Sequence, residues 1–344
     1  MRTTTAWQSS NGSLDPDRVT IERRDLRPDD VAVRIDFCGI CHSDLHQIHG
    51  HAAGGSVIPG HEFVGAVTEV GAAVTRFAPG DPVAVGTIVD SCGECDMCRA
   101  GEEVYCATAT RTYAHTDRVD GLPTNGGWSR EYVLTEGFVF PLPADLDPAG
   151  AAPLLCAGVT VWNPLRRSGI GPGSRVAVAG LGGLGHLAVK FAAALGAEVS
   201  VISRTADKHA DALALGATDL VVSGDPTHLA ASAGRFDLVL DTIPAPHDLG
   251  PLLGLLRTGG NCCVVGWFAE MPVDLMGLML GRKSLSSSAT GGRPSTAEML
   301  AFCAEHGITA DVEVLPSAQV GNGLARLEKG DVRYRFVLDL ADLD

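Results

Sequence analysis

The chain has 344 residues and a mass of 35.7 kDa, which is long enough for two domains and a large hydrophobic core. Its formal net charge of -15 and pI near 5.1 argue against nucleic acid or an anionic membrane as a partner, because both would repel an acidic surface. The N-terminus lacks the apolar core of a signal peptide, and no apolar run approaches the roughly 18 residues of a membrane span. We therefore expect a cytoplasmic protein.

The first motif in chain order, GICHSDLHQIHGHAAGGSVIPGHEFVG at 39–65, is rich in side chains that bind metals. The candidate ligands in it are Cys41, His42, His46, His61 and Glu62. A catalytic zinc ion needs three protein ligands of mixed nitrogen and sulfur type and one open position, where an oxygen can be polarised. Cys41 and His61 could supply two of them, and Cys156 could supply the third from PLLCAGVTVW, ahead of a predicted helix.

Four cysteines fall close together in the next motif, SCGECDMCRAGEEVYC, at Cys92, Cys95, Cys98 and Cys106. A redox pair, a disulfide-bonded loop, an iron-sulfur cluster and a zinc site are all candidates. A reducing cytoplasm disfavours disulfides, and the spacing C-x2-C-x2-C-x7-C lacks the x3 closure and the proline of the bacterial iron-sulfur motif. Four thiolates from one loop can surround a tetrahedral zinc ion completely. The spacing therefore predicts a structural zinc site.

A glycine motif lies in the middle of the chain, in SRVAVAGLGGLGHLAVKFAAALGAEVSVISRT at 174–205. This segment is typical of a strand, a glycine turn, an amphipathic helix and a second strand. Gly180, Gly182 and Gly185 form the pattern G-x-G-x-x-G, in which glycines let the backbone approach a pyrophosphate at a helix N-terminus. The motif therefore predicts a dinucleotide-binding turn.

The alternation of strands and helices continues beyond the glycine motif. Strands are predicted at 236–242 (FDLVLDT) and 261–267 (NCCVVGW), and a helix is predicted between them at 249–260. Strands that alternate with helices form a parallel sheet with helices on both faces. This part of the chain is therefore expected to be a doubly wound α/β domain of the Rossmann type.

The end of the second strand bears on the choice of dinucleotide. An NAD-binding chain usually places an acidic residue there, on the ribose hydroxyls, but this chain has Ser203. Without the carboxylate a 2′-phosphate is not repelled, and the neighbouring Arg204 can bind it, with Lys208 close behind. NADP(H) is therefore the favoured cofactor. The alternative is that Arg204 is an ordinary solvated loop residue.

Taken together, GICHSDLH, PGHE, the four-cysteine loop, PLLCAG and GLGGLGHLAVK resemble the zinc-dependent medium-chain alcohol dehydrogenases. The segments GRKSL, ITADVEVLP, DVRYRFVLDL and DTIPAPHDLGPLLGLL resemble more narrowly the cinnamyl alcohol dehydrogenase branch. The resemblance covers nearly the whole chain. It implies a GroES-like β-barrel catalytic domain interrupted by a Rossmann domain, with the active site in the cleft between them.

This order predicts a catalytic domain over 1–146, an NADP(H)-binding domain over 147–291, and a return to the catalytic domain over 292–344. Members of the family are commonly dimers or tetramers, so the resemblance implies a homodimer or a homotetramer. It also implies two zinc ions per chain. The structural ion belongs to the four-cysteine loop, whereas Cys41, His61 and Cys156 hold the catalytic ion, with Glu62 beside it as an occasional fourth ligand.

The resemblance also assigns a proton relay. Ser43 matches the hydroxyl that passes on the substrate proton, and His46 exchanges that proton with water. Asp44 matches the carboxylate that orients a ligating histidine, and His42 falls where the family contacts the pyrophosphate. The remaining residues expected at the cofactor, from the glycine motif and by position, are Thr160, Gly180, Leu181, Gly182, Gly183, Leu184, Gly185, Ser203, Arg204, Lys208, Thr242 and Gly266.

The implied function is hydride transfer between NADP(H) and a primary alcohol and its aldehyde, as an aldehyde reductase. One alternative is an NADPH-dependent reductase of a conjugated C=C bond or an iminium carbon on the same scaffold. Such relatives have often lost the relay or a zinc ligand, whereas Ser43, His46 and all three ligands are present here. A second alternative, of another class, is a non-catalytic binding protein that kept the fold.

Overall fold

The computed structural model describes residues 1–268 and 270–344, which form two compact units. The first unit comprises Met1–Cys156 and Gly291–Asp344, and the second comprises Ala157–Thr290. The first unit thus extends beyond the predicted domain boundary after residue 146. The reason is that the helical turns at Pro148–Ala151 and Ala152–Leu155 pack against strands of the first unit.

The strands are numbered in chain order. Those of the first unit before the second begins are β1 (Arg2–Ser10), β2 (Asp17–Arg23), β3 (Asp30–Ile40), β4 (Ser56–Val57), β5 (Phe63–Val70), β6 (Pro82–Val85), β7 (Ile88–Asp90), β8 (Thr110–Arg111), β9 (Glu131–Thr135) and β10 (Val139–Pro141). Those of the second unit are β11 (Arg175–Ala179), β12 (Glu198–Ser203), β13 (Asp219–Val222), β14 (Phe236–Asp241), β15 (Leu256–Val264) and β16 (Ser284–Ser287). The first unit resumes with β17 (Val312–Pro316) and β18 (Arg335–Asp339).

The helices are short. The α-helices are α1 (His42–Gly50), α2 (Asp96–Arg99), α3 (Pro148–Ala151), α4 (Ala157–Arg167), α5 (Gly185–Ala194), α6 (His209–Ala214), α7 (Pro226–Ala231), α8 (Gly250–Leu255), α9 (Leu275–Leu280), α10 (Arg293–His306) and α11 (Val320–Glu328). Single 3₁₀ turns cover Glu103–Tyr105, Glu136–Phe138, Ala152–Leu155, Ala206–Lys208, Ser317–Gln319 and Ala341–Leu343. Among the helices of the described residues, none has the length and apolar character needed to cross a membrane.

The main sheet of the first unit is built around β3. Its strands run in the order β10-β6-β5-β3-β18-β17, and β9 also pairs with β3. The β-branched residues Val31, Val33 and Ile35 favour the extended conformation and are buried in the core of this unit. Because β18 pairs antiparallel with β3 and places Phe336 opposite Ile40, the last strand of the chain lies beside the first candidate ligand, Cys41.

The second unit contains the predicted doubly wound sheet. Its six strands are parallel and run in the order β13-β12-β11-β14-β15-β16. The direction of winding reverses between β11 and β14, and open α/β sheets bind ligands at the carboxyl ends of the strands at such a point. The glycine motif follows β11 directly and leads into α5, so it lies at this position.

One predicted helix in the second unit is shorter than its pattern indicated. The segment at 249–260 was expected to be helical, but α8 ends at Leu255 and β15 begins at Leu256. Leu256 pairs with Phe236, and the pairing resumes only at Asn261 after an irregular stretch. Gly259 lies in this stretch with a φ of +78°, a left-handed conformation that a helix does not allow.

Candidate active site

The three candidate ligands of the catalytic metal meet in the first unit. The sulfur atoms of Cys41 and Cys156 are 4.0 Å apart, and Nε2 of His61 lies 3.2 Å from the sulfur of Cys156. All three donor atoms lie within 4.8 Å of one another, and all three residues are buried. Two thiolates bound tetrahedrally at about 2.3 Å from one ion are about 3.8 Å apart, so this donor set fits zinc.

Each ligand comes from a different part of the fold. Cys41 lies at the junction of β3 and α1, His61 lies between β4 and β5, and Cys156 directly precedes α4. Asp44, in the first turn of α1, connects two of them. Its Oδ2 accepts the backbone N–H of Cys41 at 2.8 Å, and its Oδ1 lies 3.2 Å from Nδ1 of His61. This contact occupies one ring nitrogen of His61 and turns the other toward the cysteines.

A buried ion pair lies next to the ligands. Arg335, on β18, donates an Nη2 hydrogen bond to Oε1 of Glu62, and its Nη1 lies 3.9 Å from the sulfur of Cys41. Burial raises the pKa of Glu62 to about 7, although the positive charge of Arg335 opposes this shift. Burial also works against the charge on Arg335, but the Glu62 carboxylate and the cysteines keep the pKa of Arg335 above its usual value.

The second oxygen of Glu62 is a possible further donor near the metal ligands, although Glu62 is not part of the group whose donor atoms lie within 4.8 Å of one another. Glu62 is completely buried, and its Oε2 has no hydrogen-bond partner among the described residues. A buried carboxylate oxygen without a partner is unusual and fits a position at which a metal ion can be bound. The sequence did not indicate Arg335, because only the pairing of β18 with β3 connects it to this region.

The predicted relay residues all lie on α1. The hydroxyl of Ser43 is 3.3 Å from Nε2 of His61, and its side chain is half-buried. His42 and His46 are exposed. Ser43 and His46 are three positions apart on a helix, so their side chains share one face.

Tyr113 is a neighbour of the ligands that the sequence did not indicate. Its hydroxyl donates a hydrogen bond to Oδ1 of Asp44 at 2.8 Å. Its ring stacks on the imidazole of His61, with centroids 5.7 Å apart and an interplanar angle of 21°. Burial and the Asp44 carboxylate raise the pKa of Tyr113 well above its usual value. A single tyrosine in TRTYAHTD carries no spacing signal that could have pointed to this contact.

The four cysteines of the second cluster also converge. The sulfur of Cys92 lies 3.8 Å from that of Cys98 and 3.6 Å from that of Cys106, close to the spacing expected around one zinc ion. All four sulfur atoms belong to a group whose donor atoms lie within 4.8 Å of one another. Cys92 and Cys95 are partly exposed, whereas Cys98 and Cys106 are buried. This donor set fits a closed, four-thiolate zinc site.

The four-cysteine lobe, residues 91–106, is attached to the rest of the first unit through Glu103. The side chain of Glu103 is buried and accepts hydrogen bonds from the backbone N–H of Arg293 at 2.9 Å and from its Nε at 2.6 Å. Because Arg293 is the first residue of α10, the carboxylate also caps the N-terminus of that helix.

The glycine motif forms a tight turn in the second unit. Gly180 has a φ of +91°, and a Cβ on Gly185 would lie 2.1 Å from the carbonyl oxygen of Gly180, so both positions require glycine. In contrast, a Cβ on Gly182 would meet no atom within 4 Å, and this residue is exposed. The backbone at Gly182 is therefore accessible at the N-terminal end of α5, as pyrophosphate binding requires.

The residues predicted to select the dinucleotide lie at the end of β12. Ser203 is the last residue of that strand, and the side chain of Arg204 is exposed. Lys208 donates a hydrogen bond from Nζ to the carbonyl oxygen of Leu181 at 3.0 Å, so its ammonium group lies over the glycine turn. The position where an NAD-binding chain usually has its carboxylate is thus occupied by Ser203, with Arg204 next to it in the chain, and the 3₁₀ turn that follows contains Asp207.

The remaining predicted cofactor residues belong to the second unit, and some of them line or support the same turn. The hydroxyl of Thr242 donates to the carbonyl oxygen of Ala179 at 2.8 Å, and a Cβ on Gly266 would lie 2.0 Å from the carbonyl oxygen of Ile243. Both residues therefore have packing roles. Thr160 is buried in the first turn of α4. Leu181 is buried in the turn, and Gly183 and Leu184 are partly exposed there.

Comparisons with known proteins agree with this arrangement. Residues 27–144 match the family model of the alcohol dehydrogenase GroES-like domain, and residues 183–305 match that of the zinc-binding dehydrogenases. The chain is 47% identical over 342 residues to alcohol dehydrogenase 9 of Catharanthus roseus, covering 98% of this chain and 94% of that protein. It is 45% identical over 349 residues to NADP-dependent alcohol dehydrogenase C 1 of Mycolicibacterium smegmatis, covering 100% and 99%.

A solved structure is also very similar. The cinnamyl alcohol dehydrogenase SbCAD4 of Sorghum bicolor matches with a TM-score of 0.96 and 42% identity, over 100% of this chain and 99% of that chain. The predicted combination of a GroES-like domain and a Rossmann domain is thereby confirmed. The chain belongs to the zinc-dependent medium-chain alcohol dehydrogenases, in the cinnamyl alcohol dehydrogenase branch, and is an oxidoreductase.

Proposed function

We propose that this oxidoreductase uses NADP(H) and reduces an aldehyde to a primary alcohol. The observation that carries the proposal is the buried set of Cys41, His61 and Cys156, whose donor atoms lie within 4.8 Å of one another. Three mixed ligands of this kind hold catalytic zinc and leave a position for substrate. When bound, zinc supplies Lewis acidity toward the substrate oxygen, and the dinucleotide supplies or accepts the hydride.

The residues around this set receive separate roles in the proposal. Asp44 orients His61 through the contact between Oδ1 and Nδ1 at 3.2 Å. Ser43 is the group that exchanges a proton with the substrate oxygen, because its hydroxyl lies 3.3 Å from the metal-facing nitrogen of His61. His46, exposed on the same face of α1, exchanges that proton with water. Glu62 serves as an occasional fourth ligand.

The preference for NADP(H) rests on the end of β12. Ser203 replaces the carboxylate that would repel a 2′-phosphate, and the exposed guanidinium of Arg204 can bind that phosphate in a bidentate manner. The ammonium group of Lys208, over the glycine turn, adds a third favourable group. The M. smegmatis relative described above is named as NADP-dependent, which supports the same choice.

Steady-state kinetics on a panel of aldehydes test the cofactor assignment. NADPH should exceed NADH in kcat/KM by at least about tenfold, and Ser203→Asp combined with Arg204→Ala should reverse the preference. As a control, Arg175→Ala removes an exposed arginine at the opposite end of the sheet, at the start of β11, and should leave the preference unchanged. A wild-type protein that prefers NADH would contradict the proposal.

Product analysis tests the reaction type. With an α,β-unsaturated aldehyde and NADPH, the expected product is the allylic alcohol with its double bond retained. The alcohol is expected because the three ligands and Ser43 act on a carbonyl oxygen. A saturated aldehyde as the main product would instead indicate reduction of the conjugated C=C bond.

We also propose that the first unit is the catalytic domain and that the second unit binds the cofactor.

The proposal further includes homodimers or homotetramers that form through the second unit. There, β16 is an edge strand, and α9 exposes the apolar side chains of Leu275, Met276, Met279 and Leu280. An open sheet edge next to an apolar surface favours pairing with a second copy. Sedimentation of wild type and of Leu280→Glu tests this, since the variant should dissociate. We also propose a cytoplasmic location, because six of the ten cysteines lie in the two candidate metal clusters and clustered cysteines in a reducing compartment are typical of metal sites.

A further inference from the structure

The Asp44 carboxylate is the centre of a buried hydrogen-bond cluster behind the metal ligands. Asp44 is fully buried, and its Oδ1 has three neighbours that can donate: the Tyr113 hydroxyl at 2.8 Å, Nδ1 of His61 at 3.2 Å, and the backbone N–H of Gly60 at 3.3 Å. The contact with Tyr113 is the shortest of the three. A carboxylate that is removed from water depends on such donors to remain in one orientation.

Tyr113 contacts this cluster in two independent ways. Its hydroxyl bonds to the carboxylate, and its ring stacks on the imidazole of His61 at a centroid distance of 5.7 Å. The first contact limits rotation of the Asp44 side chain, and the second limits tilting of the His61 ring. Both therefore act on the direction in which Nε2 of His61 points.

The backbone beside Tyr113 is itself well anchored. The N–H of Thr112 donates to the carbonyl oxygen of Thr87 at 3.2 Å, and the Thr112 hydroxyl donates to that of Gly86 at 2.5 Å. Thr112 is completely buried. Tyr113 thus extends from a fixed stretch of chain, which is what a residue needs if it is to hold another side chain in place.

We propose that Tyr113 is a positioning residue for the catalytic metal site. It holds the Asp44 carboxylate and the His61 ring so that Nε2 of His61 faces the sulfur atoms of Cys41 and Cys156. The inference rests on the proposed role of these three residues as zinc ligands. Partners that hydrogen-bond behind a metal-binding histidine fix its ring orientation, and their loss typically weakens metal binding about 10- to 100-fold.

The variant Tyr113→Phe isolates the hydroxyl, because it keeps the ring and its packing against His61. The variant Tyr132→Phe is a stringent control. Tyr132 is also buried, and its hydroxyl bonds at 2.6 Å to the carbonyl oxygen of Thr112, the residue next to Tyr113. Tyr132→Phe therefore removes a hydroxyl from the same neighbourhood without removing a hydrogen bond to Asp44.

The experiment measures the rate at which zinc is released from the purified protein to a chromogenic chelator. Zinc should be released in two kinetic phases, one from each zinc site. The phase that is missing from Cys41→Ala is the phase of the catalytic site. Tyr113→Phe should accelerate this phase about tenfold or more and leave the other phase unchanged. Tyr132→Phe should change neither phase by more than about twofold. Thermal melting confirms that both variants remain folded.

Cobalt substitution provides a second readout that a merely structural role would not affect. The visible absorption of cobalt depends on the geometry of its ligands. The bands of the catalytic site are those that are missing from the spectrum of Cys41→Ala, and Tyr113→Phe should shift these bands. Equal zinc release and equal spectra in wild type and Tyr113→Phe would overturn the inference, as would equal effects of the two tyrosine variants. Wild-type protein that binds no zinc at this site would overturn the proposed function instead.

Discussion

The first unit contains two clusters of candidate zinc ligands, and they differ in how their ligands are distributed along the chain. The four-cysteine lobe takes all its sulfur atoms from one run of the chain between Cys92 and Cys106. The second set, Cys41, His61 and Cys156, takes its donors from three separate places, which are the end of β3, the segment before β5 and the residue before α4. A contiguous loop can surround a metal completely, whereas ligands fixed by distant strands can be held apart so that one position stays open.

The surroundings of the two clusters differ as well. The polar groups beside the sulfur atoms of the lobe include the hydroxyl of Ser91, 3.3 Å from the sulfur of Cys98, and that of Thr108, 3.6 Å from the sulfur of Cys106. The dispersed set is backed by Asp44, Tyr113 and the buried pair of Glu62 and Arg335. Buried charged groups are stable only where they are paired. Networks of buried titratable groups are common at reactive sites, where they shift the pKa values of the reacting side chains. These differences support the predictions that the lobe stabilises the fold and that the dispersed set carries the reaction.

The largest expected effect comes from Cys41→Ala. It should remove one of two zinc ions and lower kcat/KM by more than about 10³-fold, because losing a ligand should exceed the 10- to 100-fold cost of losing a partner behind it. The melting temperature should change little. Elemental analysis and steady-state kinetics provide the measurements. A variant that keeps its activity would show that the dispersed set does not carry the reaction.

A hydroxyl lies beside each cluster, that of Ser43 beside His61 and that of Ser91 beside Cys98. Ser43→Ala should lower kcat by about 10²- to 10⁴-fold, the range of general acid-base assistance, while zinc content stays at the wild-type level. Ser91→Ala removes the matching hydroxyl beside Cys98 and should leave kcat within about twofold. Parallel turnover assays with one aldehyde give the comparison, and similar losses in both variants would remove the distinction between the clusters.

Cys95→Ser tests the lobe directly. It should halve the zinc content and lower the melting temperature by roughly 10 °C, if the lost metal is worth about 3 kcal/mol, as a native cross-link is. Protein that remains folded at lower temperature should retain kcat within about threefold. Calorimetry and zinc analysis measure the two effects. Unchanged stability with two zinc ions retained would contradict a structural role.

The smallest effect is expected from Glu103→Gln, at the attachment of the lobe to α10. The amide can still accept a hydrogen bond, but the charge that favours both Arg293 and the helix N-terminus is lost. About 1.5 kcal/mol of stability should disappear, lowering the melting temperature by roughly 3–6 °C. Activity and zinc content should stay at wild-type values, and a loss of catalytic zinc would show that the lobe also supports the dispersed set.

Local patterns in the sequence were sufficient for the features that depend on neighbours along the chain. The spacing of the four cysteines predicted a cluster that the structure brings together, and the glycine motif predicted the turn between β11 and α5. The alternation of apolar segments predicted the parallel sheet. Residue type made Cys41, His61 and Cys156 candidate ligands of one metal ion, and the resemblance to a family then assigned them to it, because their spacing along the chain could not by itself join them.

Other features depended on the tertiary structure, because residues far apart in sequence meet only through strand pairing and packing. The pairing of β18 with β3 brings Arg335 to Glu62, and anchoring of Thr112 brings Tyr113 to Asp44. Strand pairing also ended α8 at Leu255, where the apolar pattern alone favoured a longer helix. The sequence by itself determined the donor types, the glycine turn and the two-domain architecture. Only the fold decided which charged and hydroxyl groups surround the ligands, since burial and proximity are properties of the folded chain.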